Sequence, residues 1–300
     1  MCEALVQAGA DLELVLPKKR NSISQSIEEF YGLRRKIKIK KLLVLDWGFR
    51  LSALSFATSY FFYLLFKKGI VYTIDLDYFS FFLVPFLRKP YFMEIHGEKK
   101  GSFAHNLIFS RIKGVFAINN FVKEVLTENF GILSDKILVT PNGIDPEAFS
   151  EKITREKARA ELGIPQNSKI ALHTGQFYEW KGLEVIVEAA KELLGVEFFM
   201  VGGDKDEFQK VTGLGGRPPN LKFKGMVDFK VIPLWLRAAD MLLAPGTKKN
   251  EYSYLYTSPM KIFEYLGAGR PIVAADTPAI RQVLSEKEAI FYEPDDAGDM

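Results

Sequence analysis

Short apolar runs alternate with stretches of helical spacing along the whole of this chain, the mark of βα units feeding a mostly parallel sheet. The runs predict strands near Leu12–Leu16, Lys41–Asp46, Gly69–Ile74, Tyr91–Ile95, Gly114–Ile118 and Ile137–Thr140. A second series is predicted near Lys169–Thr174, Val196–Val201, Leu221–Lys224, Met241–Ala244, Pro271–Ala274 and Ala289–Tyr292. Two series imply two sheets, and the class is α/β. The turn-rich Pro141-Asn142-Gly143-Ile144-Asp145 follows the sixth run and precedes a predicted helix over Thr154–Leu162, which divides the chain into domains 1–143 and 144–300.

Met1 to Leu16 reads as an amphipathic helix followed by a strand, without the charged and apolar regions of a secretory signal. Leu51 to Phe66 is apolar and aromatic-rich and stops at Lys67-Lys68; Phe79 to Leu87 is a second such run, broken by Pro85. Both fall short of the ~20 residues that a spanning helix needs. They are read as buried helices of a Rossmann-like domain, with partial membrane insertion as the alternative.

At 300 residues, 48% hydrophobic and 26% charged, the chain has enough apolar mass for two domains without covalent staples. Its one cysteine, Cys2, forms no internal disulfide, which fits a reducing cytoplasm but fixes no compartment. His96, His105 and His173 are far apart in sequence and no Cys or His pair has zinc spacing, so no metal site is expected. The net charge of +3 conceals an asymmetry: residues 1–143 carry 20 Lys and Arg against 13 Asp and Glu, whereas 144–300 carry 20 against 24. The excess lies in Lys18-Lys19-Arg20, in Arg34-Arg35-Lys36 with Lys38, Lys40 and Lys41, and in Lys67-Lys68. Such runs are either solvated faces or an attraction to an anionic surface such as acidic lipid headgroups. No nucleic-acid motif accompanies them.

Candidate chemistry concentrates in the C-terminal half. Ser258 suits an N-cap, Pro259 the first helical position, and Gly269 the left-handed residue past the end of the intervening helix. The turn of Ser258, Pro259 and Met260 therefore presents a helix N-terminus, which attracts phosphate. Glu264, less than two turns inside, is placed to hydrogen-bond a sugar hydroxyl of the same ligand. In the loop His173 to Gly182, Gly175 lets backbone approach a ligand, Gln176 follows it, and Lys181 stands where it can neutralise a diphosphate. Val201-Gly202-Gly203-Asp204 ends another strand, and Glu94-Ile95-His96-Gly97-Glu98 ends one in the N-terminal half. The plainer readings are a capped helix, a surface lysine and a packed histidine; His173, within a strand, is read as packed. Gly213-Leu214-Gly215-Gly216 does not directly follow a strand and is read as a loop, not a dinucleotide fingerprint.

The segment from Ser258 to Asp276 resembles the donor-binding helix of family 4 retaining glycosyltransferases, whose GT-B fold has two Rossmann-like domains with mostly parallel sheets. The resemblance covers Phe116 to Pro294 well and Met1 to Lys113 more weakly. Pro141-Asn142-Gly143-Ile144-Asp145 matches the family's Pro-Asn-Gly-x-Asp at the close of the N-terminal domain. The resemblance implies that Glu264 holds the ribose of a nucleotide diphosphate sugar; Tyr256 stands where the family has a first glutamate. Gly175, Lys181 and Gly182 match the phosphate loop, in which Gln176 replaces an arginine. Gly202 and Gly203 fall near the nucleotide, Asn220 to Val227 near the base, and His96 where the family places a histidine facing the donor sugar.

By the same resemblance both termini are truncated, lacking the first strand with its glycine-rich turn and the final helices. The implied reaction is metal-independent hexosyl transfer from a nucleotide sugar to a hydroxyl acceptor with retention, using no cofactor beyond the donor, with His96, Lys181 and Glu264 as its catalytic residues. The acceptor is soluble or lipid-linked, and the protein cytoplasmic, either free or peripheral at an anionic membrane face. The alternatives are a non-catalytic sugar-nucleotide-binding relative and a GT-B nucleotide-sugar epimerase.

Overall fold

The computed structural model describes residues 1–20, 26–31, 33–75, 77–97, 101–149, 153–214, 218–258 and 260–300. Expected positions Glu98, Gly215, Gly216 and Pro259 lie outside the described residues. The chain falls into two compact units: Met1–Ile95, Lys100–Phe116 and Leu126–Leu138 form one, and His96–Lys99, Ala117–Val125 and Val139–Met300 the other.

In the first unit, β1 (Glu13–Lys18) pairs in parallel with β2 (Lys38–Leu43). β3 (Val71–Ile74), β4 (Tyr91–Ile95), β5 (Gly114–Ala117) and β6 (Ile137–Val139) follow one another in a four-stranded sheet, with β3 and β4 parallel from Val71 against Tyr91. Its core includes Tyr91, Met93, Ile95, Ile108 and Val115. β2 lies three residues before its expected position. The ladder there is built on alternating Lys38, Ile39 and Lys40, whereas the apolar Leu43 and Leu45 that drew the expectation onward are exposed.

The helix Gly48–Leu65 buries only Ser52, Ala53, Ala57 and Tyr60. Leu51, Leu54, Phe62 and Leu65 lie exposed, so the expected buried helix is buried along one face alone. Its polar positions are too few to form an opposite face, which leaves apolar side chains to meet solvent. Among the described residues no helix is long and apolar enough to cross a membrane.

The second unit holds a six-stranded sheet, all parallel, in the order β12-β11-β10-β7-β8-β9. In chain order these are β7 (Ile170–Thr174), β8 (Glu197–Val201), β9 (Leu221–Phe223), β10 (Met241–Ala244), β11 (Ile272–Ala275) and β12 (Ala289–Tyr292). Strands buried on both faces read as unbroken apolar runs, and every residue of β7 is buried. After β7 the chain builds outward through β8 and β9, then returns to the other side of β7 for β10. Such a reversal opens a crevice beyond the carboxyl ends of the two strands, here β7 and β10.

The opposite, amino-terminal ends of these strands are locked by charge. Arg159 is 1% exposed. It donates to the Ala238 carbonyl at 2.9 Å, to the Gln166 carbonyl at 2.6 Å and to Asp240 at 2.8 Å. Asp240 also accepts from the Ile170 N–H and from Arg155, each at 2.8 Å. Burial alone would raise the Asp240 carboxyl, but that N–H and the two guanidinium groups outweigh it and hold it below the ordinary value.

Candidate functional site

Beyond the carboxyl end of β7 the chain turns at Gly175, with φ +116, and Gly202 takes φ +114 after β8. The two backbones lie back to back: a Cβ on Gly202 would stand 2.6 Å from the Gly175 carbonyl carbon. A Cβ on Gly203 would strike the Phe177 ring at 2.5 Å, and one on Gly182 would lie 2.9 Å from Thr247. Gly175, Gly182 and Gly202 hold positive φ, and Gly182, Gly202 and Gly203 leave no room for a Cβ, so backbone packs closely at the crevice mouth.

Two lysines lie at this turn. Lys181 donates to the Gln176 carbonyl at 2.6 Å. Lys261, one residue into the helix Met260–Ala268, lies over Gly175 so closely that a Cβ there would fall on its ammonium group. The two amino groups lie close enough to influence each other. Burial, with the Lys261 charge beside it, pulls Lys181 down to about 7. Burial also lowers Lys261, against the opposing pull of Glu264. Glu264 is one turn further along the same face; burial raises its carboxyl despite the neighbouring Lys261 charge. Its carboxylate accepts no hydrogen bond among the described residues.

Behind the lysines the packing is fixed. The Tyr265 hydroxyl accepts from the Thr174 N–H at 3.1 Å and donates to the Leu243 carbonyl at 3.2 Å, tying the helix to β7 and β10. His173 is 2% exposed, with Nδ1 at 3.1 Å from the same carbonyl and Nε2 buried without a partner. Because a carbonyl only accepts, Nδ1 carries the proton. Burial and the two lysine charges keep the ring neutral. His173 is thus packed, as expected.

The helix ends at Ala268 with Gly269 at φ +62, as the sequence indicates. Its start differs: Ser258 Oγ makes no capping bond and is buried without a partner, while the Ser258 carbonyl accepts from Asn142 at 2.9 Å. Pro259 lies outside the described residues, and Met260 is exposed. Gly175, Gln176, Lys181 and Glu264 are brought together; Gly202 and Gly203 form the adjoining wall. Tyr256 is buried at the end of a π-helical turn, Tyr252–Tyr256, inserted before the helix. His96 is half-buried just past β4, and a Cβ on neighbouring Gly97 would stand 3.1 Å from the Tyr252 ring.

Sequence reasoning missed Lys261, whose spacing of three from Glu264 already puts both on one helix face. It also missed Asn119, which caps the helix Asn120–Phe130 by accepting from the Val122 N–H at 2.8 Å. The Asn119 amide donates at 3.1 Å to the Tyr256 carbonyl, a contact with no local signal. Asn220, which opens the segment read as bordering a base, donates to the Ala190, Leu193 and Val196 carbonyls and closes the end of a neighbouring helix.

Residues 168–300 match the family described as glycosyl transferases group 1. Phosphatidyl-myo-inositol mannosyltransferase of Mycobacterium tuberculosis is 29% identical over 197 residues, 63% of this chain and 47% of that protein. Processive diacylglycerol alpha-glucosyltransferase of Acholeplasma laidlawii is 24% identical over 225 residues, 68% of this chain and 65% of that protein. Among solved structures, sucrose-phosphate synthase of Thermosynechococcus elongatus matches with a TM-score of 0.75 at 18% identity, covering 99% of this chain and 79% of that one. The fold is GT-B. The family match covers residues 168–300, under half of the chain, and the chain spans about half the length of the curated mannosyltransferase it matches.

Proposed function

We propose that the chain carries the donor site of a retaining glycosyltransferase, which moves a hexose from a nucleotide diphosphate sugar to a hydroxyl acceptor. The observation that carries this reading is the cluster of Lys181, Lys261 and Glu264 beside the Gly175 and Gly202 turns at the switch point of the sheet. Glu264 accepts ribose hydroxyls, and the two lysines meet the charge that grows on the departing diphosphate, a role that a divalent metal fills in other transferases. The leaving phosphate itself takes the acceptor proton, so front-face transfer with retention needs no protein base. The second reading is a non-catalytic nucleotide-sugar binder, favoured by Tyr256 in place of a carboxylate. Donor hydrolysis and transfer, assayed with and without chelator, separates the two: a protein that binds donor but turns none over is the binder.

The lysine pair gives the binding a pH dependence. An anion raises the Lys181 value from about 7, so nucleoside diphosphate binding takes up a proton once the free amine is neutral. Affinity is therefore expected to fall, by at most about tenfold per unit, as pH rises above about 7. Calorimetry in two buffers of different ionisation heat reads the proton uptake directly. Flat affinity with no buffer dependence removes Lys181 from the phosphate site.

The acceptor is proposed to be lipid-linked. Two relatives are named for phosphatidyl-myo-inositol and diacylglycerol chemistry. In this chain's first unit, exposed Trp47, Phe49, Leu51, Leu54, Phe62 and Leu65 lie near basic Arg50, Lys40, Lys41 and Lys68 in sequence. Each basic residue adds about 1 kcal/mol at an anionic surface, so several together give reversible, salt-weakened docking. Vesicle co-sedimentation is expected to bring the protein down with anionic lipid at low salt and to release it at high salt. No binding to anionic vesicles at low salt argues for a soluble acceptor.

A further inference from the structure

The groups at the mouth of the six-stranded sheet neighbour one another in turn. Glu264 lies one turn after Lys261, and Lys181 is beside Lys261. Lys181 in turn lies beside two aromatic rings: its ammonium is 4.8 Å from the Tyr178 centroid and 5.4 Å from that of Trp180. A nucleotide sugar has its own order of ribose, diphosphate and sugar, the sugar bonded directly to phosphate. With ribose at Glu264 and phosphates at the lysines, the transferred sugar falls on the aromatic side. We propose that Tyr178, Trp180 and Tyr252 form a shelf on which the donor's sugar ring lays its C–H face. This rests on the reading of Lys181, Lys261 and Glu264 as a nucleotide-sugar site.

The rings are built as a surface. Tyr178 and Trp180 stack with centroids 5.7 Å apart and planes 7° from parallel, and Trp180 meets Tyr252 edge to face at 5.1 Å and 88°. Yet Tyr178 is 44% and Tyr252 39% exposed, so ring area is left to solvent beside the cations. The Tyr178 hydroxyl is held by the Gln176 side chain, and Tyr252 is backed by Gly97, where a Cβ would stand 3.1 Å from its ring. Rings fixed in advance lose little entropy when a ligand arrives. A pyranose offers one face of C–H bonds, which packs on the electron-rich face of an aromatic ring, while its hydroxyls turn outward to water and backbone groups. The shelf thus assigns positioning of the sugar, and selection among sugars by the shape of that C–H face, to residues outside the phosphate and ribose contacts.

The test compares nucleoside diphosphate with nucleotide sugar. Parent, Trp180→Leu and Tyr178→Leu are titrated with UDP, UDP-glucose, GDP and GDP-mannose, with melting curves to verify folding and Trp180→Phe as the conservative control. For the base that the parent binds, each Leu variant is expected to lose roughly tenfold in affinity for the nucleotide sugar, to hold the nucleoside diphosphate within about twofold, and Trp180→Phe to recover most of the loss. Equal losses for both ligands assign the rings to base or phosphate and overturn the shelf. So does the absence of any loss, or a loss confined to the acceptor KM. A parent that binds neither UDP nor GDP overturns the donor site and the shelf with it, whereas a binding parent with unaltered variants sinks the shelf alone.

Discussion

Replacing Lys181 and Lys261 together with alanine is expected to weaken nucleoside diphosphate binding by more than about 100-fold while changing nucleoside binding by less than about threefold. A charge-assisted hydrogen bond to phosphate contributes about 1.5–3 kcal/mol, and two such contacts are lost at once. Lys261→Ala alone is expected to cost far less than half of this. In the free protein burial and the Lys261 charge bring Lys181 down to about 7, so removing Lys261 leaves Lys181 more fully protonated and a stronger phosphate ligand. Calorimetric titration of both singles and the double with UDP and GDP checks the pattern. Single losses that simply add show that the lysines act independently, and a double variant that binds like the parent removes both from the site.

The largest effect on stability is expected at the far end of the same sheet. Asp240→Ala leaves Arg159, 1% exposed, without its counter-charge. Breaking a buried pair by removing one partner costs about 3–5 kcal/mol, because the remaining charge stays buried and unpaired. Asp240→Asn is expected to cost less, since an amide oxygen still accepts from Arg159 and the Ile170 N–H. The Asp240 carboxyl is held below its ordinary value, so its contribution is complete above the unfolded value of about 3.9 and is lost as pH falls through the lower folded value. Urea denaturation near neutral pH reads the difference, and a loss below about 1 kcal/mol for Asp240→Ala contradicts the role given to the network.

The strands of the second unit were legible because parallel strands covered on both faces read as plain apolar runs; Met241–Ala244 and Ala289–Tyr292 fall on their expected residues. β2 was displaced because its ladder is lysine-rich, and the apolar signal beyond it belongs to exposed residues. Gly175, Lys181 and Glu264, which the sequence grouped together, lie near one another, since each sits at a strand end or helix start that local spacing marks. Sequence reasoning missed what depends on contacts between distant segments: Asn119 reaching the 255–257 carbonyls, and Trp180 meeting Tyr252. Ser258 was misread for a related reason. Its identity and position suit a cap, but where its hydroxyl settles is decided by the surrounding packing, which leaves it buried and unpartnered.

Titration of the parent and Glu264→Gln with ribonucleoside and 2′,3′-dideoxyribonucleoside diphosphates tests the donor site at its least ambiguous contact. The variant keeps size and one acceptor oxygen but loses the charge that makes the ribose contact strong. The parent is expected to bind UDP or GDP, and Glu264→Gln to bind the same ligand about 10- to 150-fold more weakly. The dideoxy ligand should bind the parent as weakly as the ribo form binds the variant and be indifferent to the substitution. Equal affinity of parent and Glu264→Gln for the ribonucleotide contradicts a ribose contact at Glu264 and, with it, the donor site.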